Sequence, residues 1–174
     1  MSPVAPTSET TMTKSKDLLN DVPQVGRVEW IGLAPEKQAT IKSVESATVE
    51  VGTGLVGDHH ATSGQASKRQ VTFIQAEHLP VIASLSGHES VDPELLRRNV
   101  VISGINLLSL KKQRFTIGEA VFEGTGPCAP CSLMERNLGE GGYQAMRGHG
   151  GITTTVLQAG TIKIGDEVRA TGTD

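Results

Sequence analysis

The sequence predicts a mainly β protein whose short strands, roughly six to eight, form a closed or strongly curved sheet with a few short helices. Two observations carry this expectation. Apolar residues recur at period two in short runs, and turn formers separate those runs, with 20 glycines and 8 prolines spread along 174 residues. Only two modest helices are expected, besides single helical turns.

Residues 1–21 are rich in Ser, Thr, Pro and Lys and lack periodicity, so they read as a flexible tail serving neither core nor site. One domain is expected over 22–174. Its first strand covers residues 25–33, which alternate apolar and polar before Pro35. A second strand is expected over 47–51. Gly52, Gly54 and Gly57 then share a loop with Asp58, His59 and His60 that is suited to cradling a ligand, and a third strand follows over 69–74. Leu79, Ile82, Ala83 and Leu85 fall near helical spacing and Gly87 ends them. Asp92-Pro93 is a cap-then-proline start, so a helical turn should lead into Arg97-Arg98-Asn99 and a strand over 100–102. Asn106, Leu107 and Leu110 mark a turn. Residues 115–123 alternate as one half-buried strand that breaks at Gly124. A helical turn over 141–146, a strand over 152–157, and two β-prone stretches flanking Gly165-Asp166 complete the chain.

Composition excludes several classes of function. A net charge of −3 and 3% aromatic residues give neither the basic excess nor the stacking platforms of a nucleic-acid binder. No apolar run approaches the roughly 20 residues that span a bilayer, and no basic-then-apolar leader opens the chain. A soluble cytoplasmic protein is the expectation. The two cysteines are too close in sequence to staple a domain, so they give no sign of an oxidising compartment.

Both cysteines lie in Gly126-Pro127-Cys128-Ala129-Pro130-Cys131, where proline and glycine frame a loop that presents sulfur in a defined direction. A thioredoxin-like role calls for a βαβ setting, which the β-rich surroundings do not offer. A structural zinc site needs four ligands and would have to recruit His59, His60 or His149. Two small residues packed at a strand end remain an alternative. Basic clusters at Lys68-Arg69, Arg97-Arg98 and Arg147 with His149 occupy separate loops of this net acidic chain. If the loops converge, they suit a ligand that is anionic at one end and metal-bearing at the other.

A series of motifs then occurs in one order: Gly54-Leu55-Val56-Gly57-Asp58-His59, Arg69-Gln70-Val71-Thr72-Phe73-Ile74 with Glu77, Arg97-Arg98-Asn99-Val100-Val101, Gly104-Ile105-Asn106-Leu107, Ile117-Gly118, the cysteine loop, Gly150-Gly151 and Gly165-Asp166. This series resembles the MOSC domain, named for the C-terminal part of molybdenum cofactor sulfurase, over about residues 25–168. The resemblance implies a barrel-like fold similar to the pyruvate kinase β-barrel domain. It also implies the molybdenum cofactor (molybdopterin), and not pyridoxal phosphate, as the bound group.

In molybdenum-binding relatives, including the mitochondrial amidoxime-reducing component and hydroxylaminopurine reductases, one cysteine ligates molybdenum. Cys131 matches that position through its Pro-Cys pair. Arg97 and Asn99 match an Arg-x-Asn element of the reductases, with Arg98 where a proline often stands. Lys68, Arg69 and Arg147 join them as candidate pterin or phosphate contacts. The implied activity is reduction of small N-hydroxylated substrates, with Asp58 or His59 as proton donor and electrons from a separate protein. The alternative implied by stand-alone MOSC domains is a sulfur carrier, with a persulfide on Cys131 and Cys128 to resolve it. A third reading is a β-domain with inert cysteines.

Overall fold

The computed structural model describes residues 14–62 and 67–173. Among these residues, eleven strands are arranged in two sheets: β1 (Val25–Leu33), β2 (Lys42–Val44), β3 (Ser46–Glu50), β4 (Gly54–Leu55), β5 (Val71–Gln75), β6 (Val100–Ser103), β7 (Arg114–Ile117), β8 (Ala120–Pro127), β9 (Ile152–Gln158), β10 (Gly160–Lys163) and β11 (Glu167–Gly172). The larger sheet runs β11-β7-β8-β9-β5-β6-β1-β2, and pairing of β11 with β1 closes seven of these strands into a barrel. Among the described residues only β5 and β6 pair in parallel, and their connection carries helix α2 (Leu79–Ser86). The small sheet, β10-β3-β4, lies beside the barrel. The fold is mainly β, as the sequence predicts.

Period-two burial explains most strands. In β7 and β8, Phe115, Ile117, Ala120 and Phe122 face the barrel interior, where the Phe115 and Phe122 rings stack and Phe73 meets both edge-on. By contrast, β5 is buried on both faces. Val71 and Phe73 fill the barrel, while Ile74 joins Val101 in a second core beneath α2, α3 (Ser132–Leu138) and α4 (Gly142–Met146).

Three expectations need correction. Residues 115–123 form a hairpin, not one strand: Gly118 turns the chain at φ 56°, after which burial moves from odd to even positions. Gly124 does not end β8 either. Its missing side chain admits the Leu110 carbonyl, 2.0 Å from where a Cβ would stand. Among the described residues, α1 (Ser15–Asn20) and α3 fall outside the stretches expected to be helical; α3 ends at Gly139 as α2 ends at Gly87, but no side-chain cap marks its start after Cys131. Of the segment expected to be flexible, residues 1–13 lie outside the described residues, and α1 buries no side chain. No helix among the described residues is long and apolar enough to cross a membrane.

Candidate functional site

Strand register assembles the site. Pro127 pairs with Ile152, Ile152 with Phe73, Phe73 with Val100, and Val100 with Ile31, so one belt of partners crosses β8, β9, β5, β6 and β1. The residues next to that belt belong to four distant motifs: the cysteine loop after Pro127, Gly150-Gly151 before Ile152, Arg97-Arg98-Asn99 before Val100, and Ala34 after β1. They meet at the rim of the barrel.

The three residues before β6 each brace a different part of this rim. Arg97 adopts a left-handed backbone conformation at φ 58°, unusual for a residue with a Cβ, and its guanidinium donates to the Ala39 carbonyl. Arg98 turns inward and is 1% exposed. It donates through Nε to Gly150 O (2.8 Å) and through Nη1 to Leu96 O (2.9 Å), while Nη2 reaches Cys128 O (3.3 Å) and Ala129 O (3.4 Å). Burial lowers the pKa of Arg98 from its ordinary value; Cys128 opposes that, Arg69 adds to it and Cys131 opposes it. Arginine starts so far above neutrality that the group remains a cation. Gly150 is required here because a Cβ would stand 2.2 Å from the Cys128 carbonyl oxygen.

Asn99 is buried at the centre of a third brace. Its Oδ1 accepts from the Thr72 amide (3.0 Å) and hydroxyl (3.1 Å), and its Nδ2 donates to Asp58 Oδ2 (3.0 Å). Asp58, 4% exposed, also accepts from the Ala34 amide (2.9 Å), the His60 amide (3.0 Å) and His60 Nδ1 (2.9 Å). Burial raises the pKa of Asp58, but bonds from the His60 ring, Ala34 N–H and His60 N–H, together with the His60 charge, outweigh it. They hold the carboxyl below its ordinary value. Asp58 is therefore an ionised acceptor that orients its neighbours and is not a proton donor. An ionised Asp58 fixes Nδ1–H on His60, and the Ala34 carbonyl does the same for His59 at 3.2 Å. The two imidazole rings lie 3.9 Å apart.

An amide at position 58 would offer one acceptor oxygen in place of two. Asp58→Asn should therefore destabilise the fold by about 2–3 kcal/mol, read from urea unfolding. The pH dependence has a defined sign. A depressed carboxyl contributes stability that is complete above its ordinary value of 3.8 and is lost as pH falls below it. Wild type should show this acid-dependent loss, and Asp58→Asn should show a smaller one, since Glu77 and Glu135 are also held below their ordinary value.

These braces enclose a cleft of about 300 Å³ lined by Asp58, His59, Arg69, Arg97, Asn99 and Cys131. The structure thus brings together six of the residues singled out in the sequence. Lys68 is exposed beside the cleft and does not line it, and Arg147 lines a different cavity. Lys37, Gln38 and Arg98 also line the cleft. The loop after β1 carries no motif to draw attention to Lys37 or Gln38, whereas the Arg98 doublet did signal a functional segment. No ion pair involves Lys37, Arg69 or Arg97 among the described residues, so the cleft holds cations together with an exposed thiol.

Cys131 stands immediately before α3 and is exposed, whereas Cys128 is buried and lines the other cavity. Among the described residues, Asp58, His59 and His60 are the group close enough to share a metal ion, and no cysteine belongs to it. A zinc set joining the cysteines to His149 is therefore not assembled; His149 packs its ring against His78 at 5.3 Å.

A family model for the MOSC domain matches residues 56–169, about two thirds of the chain. The chain belongs to the MOSC domain family. Among solved structures of MOSC type, the YuaD protein from Bacillus subtilis superposes with a TM-score of 0.73 at 22% identity, covering 88% of this chain and 100% of YuaD. YiiM from Escherichia coli gives 0.65 at 17% identity, covering 85% of this chain and 71% of YiiM. YiiM from Geobacillus stearothermophilus gives 0.68 at 16%, with 83% and 74% covered. No curated protein matches the chain. These identities establish the MOSC fold, and the matched segment includes Asp58, Arg97, Asn99 and Cys131.

Proposed function

We propose that this MOSC protein binds the molybdenum cofactor in the Cys131 cleft and uses it to reduce small N-hydroxylated compounds. The observation carrying this reading is the donor set. A soft, exposed thiol shares one cleft with Lys37, Arg69 and Arg97, the combination that a metal joined to a phosphorylated pterin requires. Cys131 would hold the metal, and the cations would hold the phosphate. When bound, the cofactor supplies the two electrons for cleaving an N–O bond.

The chain's own residues have separate tasks. Arg97 holds the loop at Ala39 and faces the anionic end, while Asn99 and Asp58 fix the histidine loop. His59, with His60 beside it, is the proton source, since imidazole is the side chain suited to exchanging protons near neutrality. The N-hydroxyl compound takes up two electrons and two protons and leaves as the reduced amine or amidine plus water. Electrons come from a separate donor protein, and the setting is the cytoplasm. A sulfur-carrier role is the second reading, favoured by the exposure of Cys131.

Arg97→Ala tests the cofactor assignment. Its side chain is half-buried at the rim, so the fold should persist, and cofactor retention after gel filtration should fall about tenfold. Full molybdenum content in that variant would remove Arg97 from the site.

A further inference from the structure

A second cavity, about 500 Å³, is lined by the earlier residues of the cysteine loop, Pro127 to Pro130, and no residue lines both it and the Cys131 cleft. Its volume is ordinary for a small-molecule site. Leu107, Pro127, Pro130 and Ile152 supply apolar walls, and no carboxylate appears in the lining. Two cations do. Lys111 has no ion pair among the described residues, and the one side-chain bond made by Arg147 is to Gln144 Oε1 at 3.2 Å. Burial and the neighbouring His149 lower the pKa of His78, with Glu77 opposing, so this third basic group is neutral at pH 7. The positive charge at the cavity comes from Lys111 and Arg147.

We propose that this cavity is a second ligand site, taking a small organic anion with an apolar body against Leu107, Pro127 and Ile152 and a carboxylate or phosphate between Lys111 and Arg147. The site is independent of the cofactor assignment. Its ligand would nevertheless rest on the loop that carries Cys131, because Pro127 and Pro130 form one of its walls. Arg147, placed with the cofactor on sequence grounds, belongs to this second site.

Calorimetric titration of the full chain with naphthalene-2-carboxylate, 2-naphthyl phosphate and naphthalene-2-carboxamide tests the proposal. At least one anion should bind about tenfold more tightly than the uncharged amide, and the tighter of the two identifies the headgroup. Lys111→Met with Arg147→Met should remove that advantage, while Arg97→Ala should not. Equal affinity for all three probes, no binding at millimolar concentration, or unchanged anion binding by the double variant would each overturn it. The comparison of anion with amide on wild type holds even if the variant folds poorly. Cofactor retention by the double variant separates failure here from failure of the Cys131 reading.

Discussion

Cys131→Ser, purified from cells that make the cofactor, should be folded and free of molybdenum, while Cys128→Ser should keep most of its metal. The substitution at 131 exchanges a soft thiolate for a hard, largely protonated hydroxyl. Cys131 is exposed, so the change should cost less than about 0.5 kcal/mol of stability. Cys128 is 3% exposed and faces the second cavity, so its substitution should cost about 1 kcal/mol and spare the metal. A persulfide carrier predicts another pattern. Cys131→Ser would lose its cyanide-releasable sulfur, whereas Cys128→Ser would prolong the persulfide, because no thiolate remains to attack it, form the disulfide and expel hydrosulfide. Inert cysteines predict small stability losses alone. Molybdenum content, releasable sulfur and melting temperature on both variants separate the three, and full metal loading of Cys131→Ser would refute the leading reading.

The sequence was legible where a residue's neighbours in the chain determine its environment. Alternation located most of the barrel strands, and Gly87 and Pro93 punctuate the helical segments where expected. It was less legible where contact depends on strands distant in sequence. Glu77 belongs to a motif far from Gly104, yet its carboxylate accepts that amide at 2.7 Å across the rim. Lys37 shows no pattern at all and reaches the cleft because β1 ends beside β6. Asp58 illustrates the same limit. From sequence it is a loop acid and a candidate proton donor, and only the convergence of Ala34, His60 and Asn99 on its oxygens makes it an ionised orienting group. Arg147 has the opposite history, since its basic character is evident but the cavity it shares with Pro127 to Pro130 is set by the tertiary fold.

Arg98→Met should be the most disruptive single change at the rim. Methionine fills a similar space but donates no hydrogen bond, so the carbonyls of Leu96, Cys128, Ala129 and Gly150 lose the donor that now serves all four. A buried acceptor without a partner costs roughly 1–3 kcal/mol, whereas removing a buried cation that lacks a carboxylate partner returns part of this. A net loss of about 2–4 kcal/mol follows, or a fall in melting temperature of roughly 4–16 °C for a chain of this size. Arg98→Lys should recover less than half of it, because an ammonium at one point cannot span acceptors on three segments. The stability loss alone would describe any buried residue. The specific expectation concerns the loop: with Cys128 and Ala129 released, Cys131 remains present but is no longer positioned. Molybdenum should then be lost at temperatures where circular dichroism still reports a folded barrel, and its loss should precede unfolding in Arg98→Lys as well. Coincident loss of metal and fold in both variants would assign Arg98 to general packing and leave the cysteine loop positioned by its own prolines.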